Sequence, residues 1–143
     1  METDAQIEWA VLTTLKLENQ PIDRIEVGVQ LTTDEQILQY NLHYRGKKSA
    51  TNVLSFALMD GEDDPLPIDG PLPLGDLILA YETIFKEAQD QNKPFLAHVT
   101  HLAVHGTLHL LGYDHERSEQ AACEQESREI AILAHLELPN PYA

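Results

Sequence analysis

Five of the seven histidines fall between positions 98 and 115. Four of them, His98, His101, His105 and His109, form one narrow stripe if the segment is a helix turning 100° per residue. A rise of about 1.5 Å per residue sets positions i and i+4 about 6 Å apart, which suits two ligands converging on one ion. Positions eight apart are separated by roughly 12 Å and cannot converge. The helix can therefore donate one such pair, and a further ligand must come from elsewhere. His105-Gly-Thr-Leu-His109-Leu-Leu-Gly112-Tyr-Asp-His115 supplies it. Gly112 can take a positive φ at the helix end and turn the chain, so that His115 swings back to the same ion. Three histidines with an open fourth position make a catalytic zinc geometry, whereas structural zinc is normally closed by four protein ligands. Nickel, copper or iron also suit three imidazoles. His101, one turn before His105, reads as a supporting or core residue. His43 and His135 lie outside the cluster and read as structural or surface.

The histidine and glycine spacing matches the HExxHxxGxxH pattern of metzincin peptidases, but the glutamate of that pattern is Gly106 here. Such a site can bind and acidify a water, yet it lacks the usual base for peptide hydrolysis.

The elements that must position these residues are legible in outline. Residues 3–19 read as an amphipathic helix, with Thr3 and Gln6 at capping-box spacing, Ile7, Val11 and Leu15 on one face, and Pro21 beyond its end. Ile25, Val27, Val29 and Leu31 alternate as in a half-buried strand over 24–31. Thr32 or Thr33 caps a helix running to Leu42. Tyr44–Asn52 has turn chemistry, and Val53–Ala57 is a second strand. Residues 59–73 carry four prolines and a dense acidic run, and read as a loop. Gly75–Tyr81 is nearly continuous in apolar residues and predicts a central strand. Helices follow over 82–91, 95–111 and 117–136. The last carries Ala121, Ala122, Ile130, Leu133 and Leu136 as core candidates. The order predicts one α+β domain over residues 1–143, with helices packed on a small mixed sheet.

Composition limits the remaining choices. The chain has 143 residues, 43% hydrophobic and 23% charged, which fits a globular domain and excludes collagen, coiled coil or disorder as the main class. The single cysteine, Cys123, forbids an intrachain disulfide and suits a reducing compartment. No apolar run approaches the roughly 20 residues that span a bilayer, and the acidic N-terminus is unlike a signal peptide, so a cytoplasmic protein is expected. The net charge of −15 repels nucleic acid at long range. It is unevenly spread: Arg45, Lys47 and Lys48 lie within four positions, while residues 60–76 hold six acids and no Lys or Arg. Only the local field counts within a Debye length of roughly 8 Å at physiological salt. A basic turn can therefore serve RNA even in an acidic chain, with weak nonspecific affinity and delivery of the substrate by a partner.

His105–His115, HGTLHLLGYDH, resembles the signature of the YbeY family, bacterial single-strand-specific endoribonucleases of rRNA maturation. Tyr44-Arg45-Gly46-Lys47 with Thr51-Asn52-Val53-Leu54-Ser55-Phe56 resembles a second family signature, and Gly75-Asp76-Leu77 a third. Family members often carry proline where Ala50 and Ala57 stand here. The resemblance implies a mostly parallel four-stranded sheet with a metzincin-like zinc helix, zinc on His105, His109 and His115, and Arg45 in the cleft. It further implies 16S rRNA 3′-end processing, removal of defective ribosomes, and the small ribosomal subunit and an Era-type GTPase as partners. Zinc can acidify a water or polarise a phosphoryl oxygen. Arg45 can offer its guanidinium fork to phosphate. Leaving-group help has three neighbours to draw on: Asp114, Tyr113 and Asp76. Asp114 suits either proton transfer or support of a histidine. Two other readings compete, a zinc peptidase and a non-catalytic ribosome-assembly factor with a structural metal.

Overall fold

The elements run α1 (Glu2–Leu17), β1 (Ile25–Thr32), α2 (Asp34–Arg45), β2 (Val53–Ala57), β3 (Leu72–Ala80), α3 (Tyr81–Asp90), α4 (Phe95–Leu110) and α5 (Glu119–His135). This computed structural model describes residues 2–45, 51–57 and 70–142, apart from the side chains at 44 and 45. The order is the one the sequence predicts. Helix α4 organises the rest. Its sequence, FLAHVTHLAVHGTLHL, is apolar on nearly every side, and such a helix has to be enclosed. It is packed by α1, α3, α5, β2 and β3.

Strand β3 lies between β1 and β2, as its apolar run predicts, and Leu77–Ala80 are all buried. β1 pairs with it in parallel and β2 antiparallel. The sheet therefore has three strands among the described residues, one parallel pair and one antiparallel pair, where four mostly parallel strands are expected. The two faces of the sheet serve different helices. Leu77 joins the large core of α1, α4 and α5, with Leu108, Val99, Ile132 and Leu133 at its centre. Leu54 and Ile78 turn the other way and pack with Ile37 of α2. Fully burying one such aliphatic side chain contributes about 1.5–3 kcal/mol.

Several boundaries differ from the sequence reading for local reasons. Thr3 does not cap α1, because the helix already begins at Glu2. Gln6, the other half of the expected capping box, instead donates to Thr100 Oγ1 on α4 at 3.0 Å. Thr33 does cap α2, accepting from the Gln36 amide at 3.2 Å. That helix runs on to Arg45, so Tyr44 and Arg45 end a helix rather than start a turn. Strand β3 starts at Leu72 and takes in Pro73, which lies beside a register shift at Glu26/Val27 where a missing N–H is tolerated. Residues 59–69 of the acidic proline-rich loop lie outside the described residues, as do Lys47, Lys48 and Ala50.

α4 reaches the sheet through Gly106. A Cβ there would stand 2.8 Å from Leu77 Cδ2, 3.1 Å from Ser55 Oγ and 3.4 Å from Val53 Cγ2. The Ser55 hydroxyl donates to the Gly106 carbonyl at 3.3 Å across the same gap. Gly106→Val should therefore force helix and sheet apart and lower stability by about 1–3 kcal/mol, read as a shift of the urea midpoint.

Candidate active site

The C-terminal half of α4 carries His105 and His109, and the turn after it carries His115. The turn is a backbone device. Gly112 takes φ 107°, its N–H bonds the His109 carbonyl at 3.0 Å, and the Tyr113 N–H bonds the Leu108 carbonyl at 3.2 Å. These are the two hydrogen bonds of a Schellman cap, and they reverse the chain as expected from the glycine. His105, His109 and His115 then share one polar pocket of about 230 Å³ with Asp114 and Glu116, walled on the other side by Val53, Leu54 and Ser55. The rings of His105 and His115 are 4.9 Å apart.

The rest of the histidine stripe has other work. His98 Nε2 pairs with Glu87 Oε1 at 2.9 Å, and Glu87 also accepts from Asn52. His101 Nε2 pairs with Glu129 Oε1 at 2.7 Å, so His101 supports the site from behind and is not in the pocket lining. Glu129 is the centre of that support. Its carboxylate is wholly buried, accepts from His105 Nδ1 at 2.9 Å through Oε2, and accepts from the Tyr142 hydroxyl at 2.6 Å through Oε1. Burial alone would raise its pKa, but the bonds from His101, His105 and Tyr142 outweigh that and hold it at about 2. An ionised carboxylate only accepts, which favours a proton on His105 Nδ1. Gln125 Nε2, 3.2 Å from that nitrogen, instead donates to the His105 carbonyl, also at 3.2 Å.

Among the described residues, no three His, Cys, Asp or Glu side chains are drawn together into a ready coordination sphere. The donor set nonetheless fits a divalent ion. Three imidazoles meet in one pocket, and one has its other nitrogen tied to a carboxylate, as metal-bound histidines usually do. Burial lowers the pKa of His109, His105 and His115 push the same way, and Asp114 opposes them. The direction of that shift favours the neutral form, the one that coordinates.

The other candidates separate clearly. Asp114 lines the pocket, and its Oδ1 accepts the Glu116 amide at 3.1 Å. Tyr113 faces away, its hydroxyl bound to Glu18 Oε1 at 2.7 Å, and burial followed by that bond raises its pKa. Asp76 is on the opposite sheet face, in a groove with Tyr40 and Phe56, where Gly28 leaves room for its carboxylate. Neither can give leaving-group help in the histidine pocket. Arg45 is the last residue of α2, and its side chain lies outside the described residues. Position 106, where a peptidase would carry its base, is pressed against β2 and β3.

Glu129, Gln125 and Tyr142 escape the sequence reading. That reading places Ala122 and Ile130 in the core of α5, but both are only half-buried. The buried face is Ala121, Gln125, Glu129, Ile132, Leu133 and Leu136. The signal was available: extending the phase of Leu133 and Leu136 backwards lands on two polar residues that a helix would not bury without partners.

Comparison with known proteins places the chain in a family. The solution structure of a Thermotoga maritima protein superposes with a TM-score of 0.55, covering 95% of this chain and 82% of that one at 24% identity, a likeness of fold. Endoribonuclease YbeY of Magnetococcus marinus is 55% identical over 145 residues, 92% of this chain and 99% of the relative. The Acinetobacter baylyi protein of the same name is 47% identical over 138 residues, 96% and 86% of the two chains. The Bradyrhizobium diazoefficiens one is 44% identical over 142 residues, 99% and 77%. The family model for endoribonuclease YbeY matches residues 2–137, and the chain belongs to that family.

Proposed function

We propose that the histidine pocket is the active site of a metal-dependent endoribonuclease acting on single-stranded rRNA, in 16S 3′-end maturation and ribosome quality control. The observation that carries this reading is the meeting of His105, His109, His115 and Asp114 in one polar pocket beside β2. Membership of an endoribonuclease family supports the reaction class.

His105, His109 and His115 would hold the ion, with zinc the first choice and nickel or another divalent metal possible for such a set. When bound, the ion lowers the pKa of a coordinated water towards 7 and stabilises charge on a phosphoryl oxygen. The protein supplies the rest. Asp114, in the pocket wall, moves the proton between the attacking and leaving oxygens. Arg45 grips phosphate oxygens through its guanidinium fork. Glu129 and Gln125 hold His105 from behind. The peptidase reading loses its ground, because a base at position 106 would have to displace Leu77, Ser55 or Val53.

The acidic chain repels RNA at a distance, so delivery falls to a partner. The small ribosomal subunit and an Era-type GTPase are the partners we propose, in the cytoplasm. No helix among the described residues is long and apolar enough to cross a membrane.

The deciding experiment is cleavage of a labelled single-stranded RNA carrying an rRNA 3′ end, with all proteins purified identically. Wild type should cut, and His109→Ala and Arg45→Glu should not. Equal cutting by all three would expose a contaminant and sink the assignment. Asp114→Asn should cut about 10²–10⁴-fold more slowly with metal binding retained, as expected for loss of a proton-transfer group. A chelator should abolish cutting while shifting the thermal midpoint little, because the core is built from α1, α4, α5 and β3 without the pocket. Collapse of the fold on chelation would instead favour an assembly factor with a structural metal.

A further inference from the structure

Glu129 is a carboxylate with no solvent exposure and with three side chains in hydrogen-bond reach. It lies on α5, outside every signature motif of the sequence, and Tyr142 reaches it from the end of the chain. Removing a carboxylate from water costs several kcal/mol unless donors replace the hydration. Here they do, through His101, His105 and Tyr142. The contacts at the tail are not incidental. The Tyr142 ring stands edge-on to His101 with centroids 5.4 Å apart, and Lys93 Nζ donates to the Pro141 carbonyl at 3.1 Å. The tail is thus fixed against the N-terminal side of α4 while its hydroxyl fixes Oε1. With Oε1 occupied, Oε2 is the oxygen left for His105.

A neutral imidazole carries its proton on one nitrogen and its lone pair on the other. Which nitrogen faces a ligand is set by the partner of the other one. An acceptor behind Nδ1 selects the Nδ1–H tautomer and aims the Nε2 lone pair forward. A donor behind Nδ1 would select the reverse. Glu129 is an acceptor on both oxygens. Gln125 Nε2 gives one N–H to the His105 carbonyl and lies 3.2 Å from Nδ1 as well, but Glu129 Oε2 is nearer, at 2.9 Å.

We propose that Glu129, latched by Tyr142, is the positioning residue that fixes His105 in the Nδ1–H tautomer and presents Nε2 to the metal. The role rests on the metal-centre reading of the pocket and adds to it a residue outside the histidine motif. Glu129 touches neither substrate nor ion and acts only through His105.

The test reads the imidazole directly. Histidine-labelled, metal-free protein is examined by nitrogen NMR above the histidine titration range, and zinc affinity is measured separately by titration with a chromophoric chelator as competitor. In wild type, His105 should be protonated on Nδ1. In Glu129→Gln, the amide that replaces one oxygen is a donor. The Nδ1–H tautomer should give way to Nε2–H, and zinc should bind about 10–100-fold more weakly, the loss usual for a partner behind a ligand. A zinc-binding wild type with His105 protonated on Nε2 overturns the role of Glu129 alone, and needs no variant to fold. An unchanged tautomer and unchanged affinity in Glu129→Gln overturns it as well. Failure of wild type to bind zinc overturns the metal-centre reading itself.

Discussion

A buried carboxylate is the constraint around which much of this fold is arranged. Glu129 can be kept ionised in the interior only if donors surround it. Those donors come from two histidines one turn apart on α4 and from a tyrosine beyond the end of α5. The requirement fixes the rotation of α5 against α4, since Glu129 must face positions 101 and 105 at once. It also fixes the course of the chain after α5, because Tyr142 must return to the same oxygen. Apolar packing of Ile132 and Leu133 sets how close the two helices lie. The carboxylate sets which way they are turned.

A second constraint is the surface of α4 itself. A helix wrapped by five other elements has little free surface, yet it must offer two imidazoles to a pocket. The solution is a seam. Gly106 lies against β2 and β3, while His105 and His109, its near neighbours, open beside β2. The glycine that removes a peptidase base is the residue that lets the helix sit on the sheet. Loss of one chemistry and close packing are a single event at one position.

The parts legible in the sequence are those with short-range causes. The helix spacing of His105 and His109, the reversal at Gly112 and the central place of β3 each follow from a local pattern, and each is found. Thr33 caps α2 as read. What escapes depends on distant partners. Gln6 leaves the cap it could have made for Thr100, 94 residues away in sequence. Gln125 and Glu129 are polar residues on a buried face, and only the histidines opposite make that face stable. Asp76 and Tyr113 lie within signature segments of the chain. Strand alternation sends one to the far side of the sheet, and a bond to Glu18 takes the other towards α1. Arg45 and the acidic loop lie where the described structure ends, so their reading still rests on the sequence.

The three pocket histidines differ in stiffness. His105 and His109 ride on a helix closed in by its neighbours, and His105 is braced at its back. His115 hangs three residues past a reversal made of backbone hydrogen bonds, and it is exposed. On the metal-centre reading proposed above, two ligands would be set before any ion arrives, and the third would have conformational freedom to lose when it closes. That loss would subtract from affinity while giving an ion a way in and out. One side chain can swing clear while the rest of the framework stays folded. A centre built this way would couple metal exchange to the motion of a short turn and leave the core of the protein undisturbed.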